Sequence, residues 1–490
     1  MNIKYSFKIL IPLITVIFFL SCKKTKNAAP ELTVTQSAIA FTPEGGTQDL
    51  SFTCSSDWTI SNPVYSWLQL STASGNSGSA VIQVTTLSEN TTGATRSGTL
   101  YISASNGQAR RVKVTQAPTI YKSYNTSPIA PDMTGMASNA VQLAAKMRTG
   151  MGINIGNTME SPNEADWVNS KVTESYIKFI KSLGFNSVRL PCNWVWSHLS
   201  NRSKATIDPA WLARVKQVVG WCVANDVYVI LNAHGDSGWL ENNVNAIKQD
   251  SVNAMQKAIW EQIATTMRDF DEHLLFAGAN EPAVNNAAEM AILNGYHETF
   301  IKAVRSTGGR NSNRVLVVQG PSTDSYKTSD LMTTLPHDPV PNRMMLEVHS
   351  YSPSTFNLLI DGDATWGRMA FYWGKGNHST IEPDRNATFG EEDALIAEYG
   401  KMKKFVDQGI PVILGEYASW RRTAANVGKP LPLDLAMHNK SVDYWATFAT
   451  KTMRANGLMP FWWEIGFTLD RKNNVIKDQA LYDAIKEGYK

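Results

Sequence analysis

From about residue 150 to its end the chain alternates apolar runs with segments of helical period, and it does so eight times. The runs are GINIGN (152–157), NSVRLP (186–191), YVILNAHG (228–235), LLFAGANEP (274–282), RVLVVQG (314–320), MMLEVHSYSP (344–353), PVILGEYA (411–418) and LMPFWWEIG (458–466). Near-continuous apolar runs suit strands covered on both faces, as in a parallel sheet. Between them lie YIKFIKSLG, WLARVKQVVGWCVAND, AMQKAIWEQIATTMRDF and VDYWATFATKTMRANG, whose apolar residues recur at helical spacing. Eight strands, each with room for a helix after it, predict an α/β (β/α)8 TIM barrel over residues 141–490. A first helix near Val141 to Met147 leads into it, and the surplus length falls after the sixth run.

Residues 28–118 have another rhythm. QDLSFTCSS, WTISN, AVIQVTTLS, GTLYISAS and RRVKVTQAP alternate apolar and polar residues and are broken by Gly and Asn turns, with no helical period. Roughly seven short strands in this span predict an all-β, immunoglobulin-like sandwich. SSDWTIS, WLQLSTASGNSGSAVIQVTT and the closing VKVTQAP resemble a BACON domain. That family name suggests carbohydrate binding, but Trp58 and Trp67 read as core anchors, and a spacer is the expected role. Residues 119–140, rich in Pro, Ser, Asn and Gly and without period, are expected to be a linker.

The chain opens MNIKYSFKILIPLITVIFFLSCKK. Lys4 and Lys8 precede an apolar stretch too short to span a bilayer comfortably, and a small residue and Cys22 end it. Residues 1–22 resemble the signal peptide of a bacterial lipoprotein of the Bacteroidetes type, which implies lipidation at Cys22. The expectation is an exported protein anchored in the outer membrane, on the cell surface or the periplasmic face. Cys54, Cys192 and Cys222 lie in or beside apolar runs and are expected to be buried free thiols. A net charge of +3 over 490 residues gives no case for nucleic acid. A monomer is expected.

In barrels of this kind chemistry sits at the C-terminal ends of the strands. There the sequence places Arg189, His234, Asn280 with Glu281, His349 with Tyr351, Glu416 and Trp463. His349 and Tyr351, two apart on an extended strand, share a face. ANEPAV, ILGEYA, SVRLP and LEVHSYSP resemble the motifs of glycoside hydrolase family 5, retaining β-glycanases, over residues 150 to 490. The resemblance implies Glu281 as acid/base and Glu416 as nucleophile. Arg189, His234, Asn280, His349, Tyr351 and Trp463 would support or bind substrate.

Chemistry independently asks for the same pair. Cleavage with retention needs two carboxyls about 5 to 5.5 Å apart. Strands four and seven stand on opposite sides of the mouth, so their terminal residues face one another. As the acid, Glu281 is expected to have a raised pKa. Where many relatives carry His or Trp after the third-strand His, this chain has Gly235, and Glu464 stands where Asp is common.

The chain has 15 Trp, and aromatic loop residues Trp194, Trp196, Trp239, Trp366, Tyr372, Trp373 and Trp420 suggest a cleft for a glycan chain. Trp239 and Trp373 are the expected sugar platforms.

No cofactor is implied. A metal-dependent hydrolase would want a His-x-His on the first strand, and GINIGN has none. The expected substrate is a β-linked polysaccharide, cellulose or mixed-linkage glucan cut at internal β-1,4 bonds. Xyloglucan and β-1,4-mannan are alternatives on the same machinery. A non-catalytic glycan-binding lipoprotein is the alternative of another class, and it would be expected to lack one catalytic carboxylate.

Overall fold

The computed structural model describes residues 31–490 except 93, 168, 360–361 and 425–429. The expected signal peptide and Cys22 lie outside the described residues. The chain divides after Thr119 into two units.

The first unit is a sandwich of two sheets. One runs Leu32–Val34, Thr47–Cys54, Gly78–Thr86, Leu68–Leu70. The other runs Ala38–Phe41, Ala109–Gln116, Arg96–Ala104, Trp58–Ser61, Ser74–Gly75. All pairings are antiparallel except that of Ala38–Phe41 with Ala109–Gln116. Alternation places Leu50, Phe52, Ile82, Val84, Leu100, Ile102, Val112 and Val114 in a common core. Trp58 and Trp67 are buried in it, Trp58 edge-on to Phe52 at 4.8 Å. Neither offers its face to a sugar.

The second unit is a closed parallel barrel. Its strands are β1 (Met151–Ile155), β2 (Phe185–Leu190), β3 (Tyr228–Asn232), β4 (Leu274–Ala277), β5 (Leu316–Gln319), β6 (Met344–His349), β7 (Val412–Tyr417) and β8 (Leu458–Glu464). β8 pairs back onto β1. All eight fall on the runs read from the sequence, and a helix follows each. α1 (Ala140–Met147) precedes β1. It begins at Asn139, whose side chain and that of Gln142 form a reciprocal cap. Its Leu143, Ala144 and Met147 join Ile230, Leu275, Val317, Met345, Ile413 and Met459 in one cluster that fills the barrel at the end opposite the mouth. Cys54, Cys192 and Cys222 are buried and unpaired.

The structure differs from the sequence reading at residues 119–140. From residue 120 on, the expected linker is bound to the barrel. Ser123 Oγ, Tyr124 N and Asn125 N donate to Glu261 Oε2 at 3.0, 2.5 and 3.1 Å, and Tyr124 Oη donates to Lys204 O at 2.7 Å. Ile129–Pro131 adds a short parallel pairing to Gly308–Gly309. A strap of this kind has no period of its own, because its partners lie on the barrel.

Candidate active site

Arg189 is the hub of the mouth. It stands next to last in β2, fully buried, and every polar edge of its guanidinium is used. Nε donates to Glu347 Oε1 at 2.6 Å, Nη1 to Glu416 Oε1 at 2.7 Å and Asn154 Oδ1 at 3.1 Å, and Nη2 to Asn280 Oδ1 at 2.7 Å. A planar fork of donors can hold four partners from different strands at once.

Glu347 was not singled out in the sequence, although it lies two residues before His349 on the same face of β6, the spacing that also links His349 to Tyr351. It is fully buried and also takes Gln319 Nε2 at 2.6 Å. Burial alone would raise its carboxyl, but Arg189, His349 and Gln319 outweigh that and pull it down to about 2.

Gly415 makes this packing possible. A Cβ there would fall 2.1 Å from Glu347 Oε1. The β6–β7 register slips at this point, so that Glu416 rather than Gly415 stands opposite His349. Glu416 Oε2 then accepts Tyr351 Oη at 2.9 Å.

Across the mouth, His349 Nδ1 lies 2.8 Å from Glu281 Oε1. Glu281 is 44% exposed in its side chain and Glu416 only 6%. Glu281, His349 and Glu416 each present an atom within 4.8 Å of the others. Two carboxylates and an imidazole could in principle hold a cation. Here, however, Arg189 already occupies the Glu416 oxygen, and the His349–Glu281 contact is a proton-sharing hydrogen bond.

The expectation of a raised pKa for Glu281 is corrected. Burial does push its carboxyl up, but the hydrogen bond and charge of His349, with Arg189 behind, bring it below the ordinary range. Conversely, burial pushes His349 down, yet Glu416, Glu281 and Glu347 together hold it up at about 9. The proton of this pair rests on His349. His234 is different: burial first, then the positive charges of Arg189 and His349, lower it well below its usual value. It stacks on Trp463 at 5.5 Å and 13°. Trp463 is half-buried there.

The aromatic residues divide. Trp373 is corrected from sugar platform to core: it is fully buried, packs on Tyr444 and Phe448, and gives its indole N–H to Gly390 O. Trp194 and Tyr372 are likewise buried. Trp239 stays half-buried, its indole N–H fixed by Asp236 Oδ2 at 2.9 Å, and Trp196 and Trp366 are exposed. Trp167 and Phe389, in the loops after β1 and β6, are exposed aromatic residues that the sequence reading passed over.

A (β/α)8 barrel with two carboxylates facing across its mouth on an arginine-centred frame is the arrangement of an O-glycosyl hydrolase. Residues 120–468 match the family Cellulase (glycosyl hydrolase family 5), and residues 56–117 match BACON, a putative N-terminal binding domain. The chain belongs to glycosyl hydrolase family 5.

It is 32% identical over 499 residues to a xyloglucan-specific endo-beta-1,4-glucanase of Bacteroides ovatus, covering 96% of this chain and 94% of the relative. An endoglucanase A of Paenibacillus barcinonensis is 30% identical over 406 residues, 76% of this chain and 95% of the relative. Among solved structures, a xyloglucan-specific beta-1,4-glucanase from a ruminal metagenomic library superposes with a TM-score of 0.64 at 35% identity, covering 72% of this chain and 96% of that one.

Proposed function

We propose that this enzyme cuts internal β-1,4-glucosidic bonds of xyloglucan by retaining double displacement. The observation that carries the reaction is the approach of Glu281 and Glu416 oxygens to within 4.8 Å. That separation suits direct attack by one carboxylate, whereas inversion needs about 6.5–9.5 Å to admit a water between them. Glu416 attacks the anomeric carbon, and the bond to the leaving glucosyl oxygen breaks as Glu281 protonates it. Water, deprotonated by Glu281, then releases the glycosyl group from Glu416.

The proton for the first step is shared over the 2.8 Å from His349 Nδ1 to Glu281 Oε1. A short shift along that bond loads the acid as the leaving oxygen draws near. Asn280, oriented by Arg189, is placed for the sugar 2-OH, and Trp463 and Trp239 serve as sugar platforms.

Two observations support xyloglucan over the unbranched glucans expected from sequence. The B. ovatus relative named for xyloglucan matches across both units of the chain. Space is also open at Gly235, where an added Cβ would meet nothing within 4 Å. A side chain missing beside His234 leaves room for a branched chain. The endoglucanase relative keeps unbranched β-1,4-glucan as the second reading. From the first 22 residues alone we also propose an exported lipoprotein anchored at Cys22.

Digestion of xyloglucan, carboxymethylcellulose, mixed-linkage glucan and glucomannan, with product sizes followed over time, tests the substrate. Mixed oligosaccharides appearing early and fastest from xyloglucan are expected. Faster release from an unbranched glucan would overturn the xyloglucan reading.

The proton account makes its own prediction. The wild-type pair keeps its proton until about pH 9, where His349 loses it. In His349→Gln, Glu281 is the only holder left, and a carboxyl titrates far lower. The alkaline limb of kcat/KM should therefore move to lower pH by at least about one unit. A pH profile with an unmoved limb would show that His349 does not hold the proton.

A further inference from the structure

We infer that Glu241, which stands outside the catalytic frame described above, is a positioning residue that holds Glu281 in line for proton transfer. The inference rests on the reading of Glu281 as acid/base.

Glu241 lies in the loop after β3. Its Oε1 accepts two backbone N–H groups from different strand ends: Gly235 at 3.2 Å and Glu281 itself at 3.0 Å. Its own carbonyl accepts Ala283 N at 2.9 Å, on the far side of Pro282. One residue thus grips the Glu281-Pro282-Ala283 segment at two points and ties it to the residue after His234.

The loop that carries Glu241 is itself rigid. Asn243 Nδ2 donates to Gly238 O and Trp239 O, both at 3.1 Å, and Tyr296 Oη, from the helix after β4, donates to Asn243 O at 2.8 Å. Glu281 needs such a brace more than Glu416 does. Glu416 is held by Arg189 and Tyr351, whereas the half-exposed Glu281 carboxylate has His349 as its hydrogen-bond partner.

Placing a second carboxylate here has a cost. Burial raises the Glu241 carboxyl, and the charge of Glu281 adds to the effect. A neutral side chain would pack there with less penalty if filling the loop were its only task.

In kcat/KM, which reports the first displacement and not the later water attack, a displaced acid slows leaving groups that need a proton and spares those that do not, whereas general damage to the fold slows both. The test compares 2,4-dinitrophenyl and phenyl β-glycosides of cellotetraose and of the xyloglucan heptasaccharide. It uses the full chain and its Glu241→Ala, Glu241→Asp, Glu241→Gln and Glu281→Ala variants, with thermal unfolding recorded for each.

Glu241→Ala should lose about 10²-fold on the phenyl glycoside, the scale of an ångström's misplacement, and less than about threefold on the dinitrophenyl one. Glu241→Gln, whose amide oxygen still accepts both N–H groups, should recover most of that loss. Glu241→Asp keeps the charge but shortens the brace. It should show the same bias at about tenfold, so the test stands even if the alanine variant does not fold.

Equal losses on both leaving groups in the Glu241 variants, with Glu281→Ala biased as an acid variant should be, would overturn the positioning role alone. Equal losses in Glu281→Ala itself, or no wild-type cleavage of either glycoside series, would overturn the reading beneath it.

Discussion

Glu416→Ala is expected to lower turnover by at least about 10⁴-fold while glycan binding stays measurable. The carboxylate has no understudy. Glu347 also contacts Arg189, but it is fully buried behind the guanidinium, its oxygens taken by Arg189 and Gln319. The fold should tolerate the change, because Arg189 keeps Glu347, Asn154 and Asn280 as partners. The main structural cost is the Tyr351 hydroxyl left without its acceptor, about 1–3 kcal/mol. Reducing-end release and binding to immobilised xyloglucan measure the two halves. Turnover within tenfold of wild type would remove Glu416 from the reaction.

Arg189→Met is the second large effect, and it should appear in stability as well as in activity. The substitution leaves Glu347 and Glu416 buried with no guanidinium between them, and it strips the donor from Asn154 and Asn280. Removing one partner of a buried ion pair typically costs about 3–5 kcal/mol.

The pH dependence follows from Glu347, whose folded pKa is depressed to about 2 by Arg189, His349 and Gln319 against the opposing effect of burial. A depressed carboxylate contributes stability that is present above its unfolded pKa, near 4.3, and is lost as pH falls through the folded value. The gap between wild type and Arg189→Met should therefore be widest near neutral pH and shrink as pH falls from about 4 toward 2. Denaturant midpoints across that range measure it. A gap that is constant with pH would mean that packing, not charge, is what Arg189 supplies.

The barrel was legible because each strand announces itself. Runs such as YVILNAHG and PVILGEYA are apolar up to the residue that turns into the mouth, so strand positions and site residues came from the same reading. What was missed depends on contacts that no local pattern records. Glu347 had a signal, the two-residue spacing that already paired His349 with Tyr351, but it sits inside the apolar part of β6. Gly415 passes unremarked inside PVILGEYA, and only the Glu347 carboxylate packed against it shows why it must be glycine. Trp373 looked like a platform because loop tryptophans near a mouth often are. Its burial against Tyr444 and Phe448 is decided by a helix some seventy residues on. The raised pKa expected of Glu281 followed from its role as the acid and left out His349, which the fold brings 2.8 Å away.

The central claim is that two facing carboxylates work by double displacement, and the anomeric form of the first product tests it most directly. Wild-type enzyme is mixed with xyloglucan in deuterated buffer and followed by proton NMR over the first minutes. The account predicts that the β-anomer of the new reducing end appears first and that the α-anomer grows in only as the sugar mutarotates. An α-anomer formed first would contradict it, because inversion places a water where Glu416 is proposed to attack.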